Sequence, residues 1–493
     1  MELRQSLTAR FGVSLPPTAI FDYPTVGALS RFIAEAMAPA MSRMSPASTP
    51  SSVSKSGVGT ASGASGDGVR AIEVASSACV YPRGVSSPGQ LWSGFTAGTE
   101  FQEIIPLERF DPELCGGGAR TATFVADVDV FDAGVFRVSD AEALAMDPQQ
   151  RKLMELCLRN YVATGGDTLT DAVGSKTGVY LGVMWTEFQY LIVALGATQN
   201  GYTATGNGLS FLVGRPSFAF GLVGPSAVVD TACSSSLVAT HLACTALSRG
   251  EATSAHAAGV QCMLLSETFG ILNNLNALSP DGRCKTLDAS ADGYGRGEGF
   301  AALYLRPPST TTSDGSSNGD GGDVLCILGA AVNQDGRSST FTAPYGPSQQ
   351  ALMVQALGEA STSPSEVRFL STHGTGTSLG DPIELAAAGR ALSSGAKVNA
   401  IDSDGASLTV IGASKSFLGH TEGTAGMSGL LMAAAAAGQL AAPALRHCRN
   451  LNPHVAAGLA GLKANGAAVF AVRPHRHCSP PLRCSYALSP LVS

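Results

Sequence analysis

The stretch Gly224–Gly250, GPSAVVDTACSSSLVATHLACTALSRG, decides how the chain is read. It opens on a short apolar, partly β-branched run, Ala227–Val229, and passes through Asp230, Thr231 and Ala232 to Cys233 and three serines. Leu237, Leu242, Ala246 and Leu247 then recur at helical spacing, and Gly250 supplies the stop. The pattern predicts a buried strand handing over to a helix, with Cys233 at the junction. The free amides and dipole of a helix start favour negative charge, so a thiol there can titrate between about 3.5 and 7.5 instead of near 8.5. A lone cysteine after a strand is more often a small core residue. What lifts this one is its company further along the chain.

Outward from this stretch, the residues from Val69 onward read as a long α/β domain. AIEVASSACVYP is a strand, LWSGFTAG a helix, and MDPQQRKLMELCLRNYVATGG a helix with Pro148 in its first turn and Gly165–Gly166 at its end. TGVYLGVM and His256–Ser266 are strands, and DGYGRGEGFAALYLR is a glycine-rich turn entering another. After a low-complexity insertion, Pro307–Gly322, VLCILGAAVNQDG begins a second half of similar pattern. Its further elements are GPSQQALMVQALGEA (helix), VRFLSTHGTGT and LTVIGASKSFLGH (strands into loops), and an Ala-rich helix after Thr424. Alternation of strands and helices predicts mostly parallel sheets.

Residues 1–37 form a small helical unit. Leu3, Leu7 and Phe11 mark one helix face ended by Gly12, and Val26, Leu29, Phe32 and Ile33 mark a second after Pro24. Two short helices cannot hold a core alone, so the unit reads either as part of a helical bundle or as an amphipathic cap on the main domain. Residues 38–68, rich in Ser, Ala, Gly and Pro, read as a flexible tether. The 493 residues, 44% hydrophobic and 14% charged with net charge −7, show no basic stripe, which argues against nucleic acid. The 11 cysteines include no CxxC pair, and MELRQSLTARFG has no apolar signal region, so the thiols are expected reduced and the chain cytoplasmic, a plastid not being excluded. Leu430–Leu445 is too short and Ala-rich to span a bilayer and reads as an internal helix.

Two histidines share the setting of Cys233. His373 follows the apolar VRFL, and His420 follows LTVIGAS and a short loop, each flanked by Gly, Thr and Ser. Open α/β sheets bind ligands beyond the carboxyl ends of their strands. A thiolate accepts an acyl group from a thioester at little cost, because one thioester replaces another. Two neutral imidazoles can donate to the carbonyl oxygen and stabilise enolate charge. A Cys/His/His set also suits a metal, but no two of the three stand at short ligand spacing and no carboxylate-rich loop accompanies them, so no metal is expected.

The motifs MDPQQRKLMELC, TATGNGLSFLVGRPSFAFGLVGPSAVVDTACSSSLVATHLAC, LSPDGRCKTLDASADGYGRGEG, NQDGRSSTFTAPYGPSQQ, STHGTGTSLGDPIE, SKSFLGHTEGTAG and LNPH stand in one order. With them the chain resembles the β-ketoacyl synthase (ketosynthase) domain of type I polyketide and fatty acid synthases, over roughly Arg70–Pro453. The resemblance implies a thiolase-like α/β fold of two similar layered halves, and a homodimer. It implies Cys233 as acyl-accepting nucleophile, His373 and His420 as the pair that assists decarboxylation of a malonyl extender, and Lys415 as an electrostatic support. The implied reaction is acyl transfer to Cys233 and decarboxylative Claisen condensation with malonyl on a carrier protein. The partners implied are acyl carrier and acyltransferase domains.

Residues 1–37 resemble the rear half of an acyl carrier domain, past its phosphopantetheine-bearing serine. Ser6 is not at a matching position, so substrates are expected on the phosphopantetheine of a separate carrier, with no cofactor held by this chain. The resemblance implies a domain spanning 69–471. The tail 472–493, VRPHRHCSPPLRCSYALSPLVS, lacks the glycine- and phenylalanine-rich loop that in the family supplies one oxyanion amide. Loss of one such donor costs about 2.7–4 kcal/mol of transition-state stabilisation. That departure sets an alternative beside the active enzyme: a catalytically impaired fragment or dimer scaffold of a larger synthase.

Overall fold

The computed structural model describes residues 2–37, 71–308, 325–393 and 409–464, apart from 14, 17, 24, 117–118, 167–170, 198 and 440. The tether 38–68, insertion residues 309–322 and the tail 472–493 lie outside the described residues. Three helices open the chain: α1 (Glu2–Phe11), α2 (Ala19–Asp22) and α3 (Val26–Met37). Leu15, Ala19 and Ile33 form their small core, with Leu7, Leu29 and Phe32 against it. Val26, read as part of the apolar face, is 84% exposed. It stands at the very start of α3, ahead of the turns that reach this core.

The first half runs β1 (Ile72–Val80), α4 (Pro88–Thr96), a ribbon of β2 (Glu103–Ile104) and β3 (Thr121–Ala122), α5 (Asp140–Ala145), α6 (Pro148–Ala163), β4 (Thr177–Gly182), α7 (Phe188–Ala194), α8 (Gly201–Asn207), α9 (Leu209–Phe220), β5 (Ser226–Val229), α10 (Ser235–Ser248), β6 (Ser254–Gln261), α11 (Ser266–Asn274) and β7 (Gly299–Arg306). The second half runs β8 (Cys326–Ile327), α12 (Gly346–Glu359), β9 (Phe369–Ser371), α13 (Gly380–Ser393), β10 (Val410–Gly412), α14 (Lys415–Leu418), α15 (Ala425–Gln439) and α16 (Pro453–Ala464). Local chemistry marks the boundaries. Asp147 caps α6 by accepting from Gln149 N at 2.8 Å, and Pro148 opens the helix where no amide partner is needed.

One six-stranded sheet has the order β5-β4-β6-β7-β1-β8. Strand β4 is parallel to β5 and β6, whereas β7 is antiparallel to β6 and β1, and β8 is antiparallel to β1. Strands β9 and β10 form a separate parallel pair. The expectation of mostly parallel sheets therefore holds only around Cys233 and His373. Alternation fixes direction only where a helix crosses over to the adjacent strand. Here β1 and β7 meet from distant parts of the chain, and the long connection through α11 returns β7 beside β6 in the opposite direction, so a helix between two strands does not by itself make them parallel.

Strand β5 was expected to be buried. It lies at the sheet edge, with Ser226 exposed and Ala227–Val229 half-buried. Helix α10 packs across β4 and β6 and against α15. The approach is close because Gly182 has no side chain: a Cβ there would lie 2.3 Å from Ser236 N. Helix α15 is buried from Ala425 to Ala433, as expected of an internal Ala-rich helix, but it ends at Gln439, short of the Leu445 expected. Among the described residues, no helix is long and apolar enough to cross a membrane.

Candidate active site

The serines after Cys233 fasten the turn that presents it. Ser235 Oγ accepts from Thr231 N at 2.9 Å and donates to Ala232 O at 2.6 Å. Ser234 Oγ donates to Thr231 O at 2.8 Å, and Ser236 Oγ accepts from Met427 N at 3.1 Å, which ties α10 to α15. Asp230 Oδ1 takes Ala232 N at 3.0 Å. Ala232 itself has φ +53, a left-handed backbone that turns the chain sharply between strand and helix. Hydroxyls and one carboxylate thus supply the hydrogen bonds that a regular strand or helix would have made.

His373 follows β9 after one residue, Thr372. Its backbone N donates to Glu384 Oε1 at 2.5 Å, and Gly374 N donates to Glu384 Oε2 at 2.9 Å. Its ring Nε2 lies 3.7 Å from Cys233 Sγ, and Lys415 Nζ lies 3.4 Å from its Nδ1. An ammonium only donates, so Nδ1 is the acceptor and the ring hydrogen is assigned to Nε2, facing the sulfur.

His420 differs from its expected place at a strand end, because α14 intervenes after β10. It is fixed instead by a bridge to Arg296: His420 N donates to Gly295 O at 2.6 Å and Gly297 N donates to His420 O at 2.9 Å. Its Nδ1 accepts from Glu422 N at 2.9 Å, which again assigns the ring hydrogen to Nε2. The two imidazoles meet edge to face, with centroids 5.5 Å apart. Burial, reinforced by the Lys415 cation, holds both well below the ordinary histidine pKa, so both are neutral at neutral pH. Burial also lowers Lys415, opposed by Cys233 and nearby carboxylates.

For Cys233 the low pKa expected of a helix start is not what the surroundings give. Burial raises it, and Lys415 and its own backbone amide only partly oppose. The surroundings therefore favour the thiol over the thiolate. Cys233, His373 and His420 each bring one ligand-type atom within 4.8 Å of the others. The arrangement suits donors better than metal ligands, because each imidazole's inner nitrogen is the acceptor and a cation already stands beside His373. The three line a cavity of about 780 Å³ with Met184, Leu272, Leu275 and Tyr294.

The carboxylates that hold the site escaped the sequence reading. Asp381 takes Leu287 N at 2.8 Å and Gly376 N at 3.1 Å. Burial, with neighbouring Glu384, pushes its pKa up to about 7 against those amides. The signal was present: two acidic residues three apart on one helix face in GDPIE, directly after the histidine loop.

A thiol at a helix start facing two neutral imidazoles, on a thiolase-like α/β fold, defines a class of thiol-dependent acyl-transferring enzymes. Models of the beta-ketoacyl synthase N-terminal and C-terminal domains match residues 69–310 and 324–449. A phosphopantetheine attachment site model matches residues 1–33. The polyketide synthase GfsE of Streptomyces halstedii is 38% identical over 92% of this chain and 12% of its own length. The erythronolide synthase EryA2 of Saccharopolyspora erythraea is 35% identical over 92% of this chain and 12% of its own. The chain thus spans a small part of the curated relatives it matches. Among solved structures, the oxazolomycin ketosynthase domain OzmH KS7 of Streptomyces albus JA3453 superposes with TM-score 0.71 at 30% identity, covering 83% of this chain and 70% of that one. The ketosynthase from module 6 of the bacillaene synthase of Bacillus subtilis 168 gives TM-score 0.67 at 29% identity, over 78% and 64%. The chain belongs to the β-ketoacyl synthase family.

Proposed function

We propose that this chain condenses acyl units in polyketide assembly, with Cys233 as nucleophile and His373, His420 and Lys415 as its supporting groups. An acyl thioester on a carrier protein meets Cys233. The sulfur bonds to the acyl carbon, the carrier thiolate leaves, and the proton of Cys233 passes to that thiolate. A malonyl thioester then loses its carboxylate as carbon dioxide, and the electron pair left behind forms an enolate. The Nε2–H groups of His373 and His420 donate to its thioester oxygen, and Lys415 holds His373 in the donating tautomer. The enolate carbon attacks the acyl–Cys233 carbonyl, Cys233 leaves as thiolate, and a β-ketoacyl thioester remains on the carrier. The single observation that carries this reading is the 3.7 Å approach of a hydrogen-bearing His373 Nε2 to Cys233 Sγ.

The partners of this reading are a carrier protein and an acyltransferase of the same synthase. The substrates ride on the carrier's phosphopantetheine. Of the serines described within residues 1–33, Ser6 lies in the middle of α1 and Ser30 in the middle of α3, neither at a helix start where a phosphate would be favoured, and Ser14 lies outside the described residues. The reading routes no step through an arm on this chain. We divide the chain as a carrier-like unit 1–37, a tether 38–68, a condensing domain 69–471 and a tail 472–493. The edge position of β5, beside exposed Phe211, Phe218 and Val223, supports a homodimer through that edge.

The test is intact mass and peptide mapping after incubation with a simple acyl thioester. Acylation at Cys233, lost in Cys233→Ala, is expected. A folded protein that acylates elsewhere or not at all would sink the proposal and favour the impaired fragment.

A further inference from the structure

Arg296 is enclosed between two carboxylates. Its Nε and Nη2 donate to Glu422 at 2.7 and 2.9 Å, and Nη2 lies 3.6 Å from Glu187 Oε1. The side chains of Arg296, Glu187 and Glu422 are 0%, 4% and 1% exposed. Desolvation of such a buried ion group offsets most of its attraction, so stability alone does not account for it. The same residues carry the backbone that holds His420, through the bonds to Gly295, Gly297 and Glu422 N given above. Glu422 has φ +41, an unfavourable left-handed backbone for a residue with a side chain. That turn aims its N–H at His420 Nδ1. Its carboxylate is held by Arg296 and by Gln261 Nε2, which donates at 2.6 Å.

We propose that the Glu187–Arg296–Glu422 triad is the positioning device of His420: by anchoring Glu422 in its strained turn, it fixes the imidazole with Nδ1 accepting and Nε2 carrying the hydrogen. The inference rests on the condensing role given to His420 above. None of the three is a catalytic residue; each acts through His420. The groups facing that ring are Lys415, His373, Arg296, Glu422, Cys233 and Tyr294, the last with its ring centroid 4.9 Å away. Arg296 adds a second cation to Lys415 on the side that keeps the ring neutral.

The experiment compares Glu422→Gln, Glu187→Gln and Arg296→Lys in the full chain with three readouts: nitrogen-15 NMR of the His420 ring, Cys233 acylation, and condensation with malonyl carrier. In the wild type His420 is expected as one Nε2–H tautomer. In Glu422→Gln it becomes a tautomer mixture. Condensation kcat falls by about 10–100-fold, the scale on which partners that orient a histidine count, with KM within about twofold. Acylation of Cys233 stays within about twofold of wild type, and Arg296→Lys falls between Glu422→Gln and wild type. A folded Glu422→Gln that keeps one tautomer, or that condenses at the wild-type rate, overturns the proposal. So does a parallel fall of acylation, condensation and melting temperature, which would mark a merely structural group. If Glu422→Gln does not fold, unchanged tautomer and condensation in both other variants overturn it equally. A wild type that fails to acylate Cys233 defeats the proposed function instead, and the tautomer readout still decides this inference.

Discussion

The two halves of the chain hold their reactive groups by different means. Cys233 stands on a six-stranded sheet and a helix of small residues, and its turn is tied by hydroxyls. His373 and Lys415 follow a pair of strands only three residues long among the described residues. Buried carboxylates complete the second arrangement: Glu384 takes the His373 and Gly374 amides, Asp381 those of Leu287 and Gly376. Cys233 is positioned by close packing and neutral hydroxyls, and the imidazoles by buried charge. The halves should therefore fail differently, the first to added volume and the second to lost charge.

The sharpest break is Glu384→Ala. It strands two buried N–H groups at about 1–3 kcal/mol each, and stability is expected to fall by about 2–6 kcal/mol. If the protein still folds, condensation is expected to be lost while Cys233 remains open to acylation, because the half that carries Cys233 is untouched. Chemical denaturation with the mass assay checks both. Loss of acylation in a folded variant would show that the halves are not separable. Gly182→Ala is the counterpart in the first half. Its Cβ would meet the backbone of Ser235 and Ser236 at 2.3–2.5 Å, where nothing flexible can yield. A loss near the upper end of the roughly 1–3 kcal/mol typical of overpacking is expected, with acylation impaired first. Unchanged stability would mean that packing does not position α10.

How far the sequence revealed all this follows the same division. The turn at Cys233, the Pro148 helix start and the Ala-rich α15 were legible, because local periodicity and caps determine them. The edge position of β5 and the antiparallel seams at β7 were not, because strand order is set by contacts between distant segments. Cys233, His373 and His420 were recognisable by residue type, and the structure brings them together. Lys415 was known only as a companion, whereas its Nζ reaches His373 Nδ1. Glu384, Glu422 and Arg296 went unread because a charged residue in a sequence looks like surface until its partner is seen. Their burial depends on pairings as distant as 161 residues.

A smaller effect separates burial without charge from the carboxylate network. His256, in β6, is enclosed against Tyr304, and its Nδ1 has no hydrogen-bond partner among the described residues. Burial lowers its pKa to about 4, against about 6.5 for a free histidine. Between those values the unfolded chain binds a proton that the folded chain refuses. The contribution is intact above about pH 7 and lost as pH falls through 6.5 towards 4. Relative to His256→Gln, the wild type should lose about 3 kcal/mol of unfolding free energy over that range, near 1.4 kcal/mol per pH unit. A difference between the two proteins that does not change with pH would mean that this histidine takes up its proton in the fold.

The smallest effect sets the floor for the charge argument. Arg120 and Glu113 form an ion pair of 2.9 Å, as short as the bonds around Arg296, but their side chains are 63% and 64% exposed. Water and salt screen such a pair, and ordering two long side chains offsets its attraction, so Arg120→Ala should cost under about 1 kcal/mol and less in high salt. Similar bond lengths with unequal burial make it the exposed comparison for the buried Glu384, whose partners are backbone amides at 2.5 and 2.9 Å. If denaturation midpoints showed the two substitutions costing the same, hydrogen-bond length alone would govern, and the second half would not owe its site to desolvated charge. If the exposed pair costs little and the buried carboxylate much, burial is the variable, and His373 is held by a group whose strength depends on excluding water.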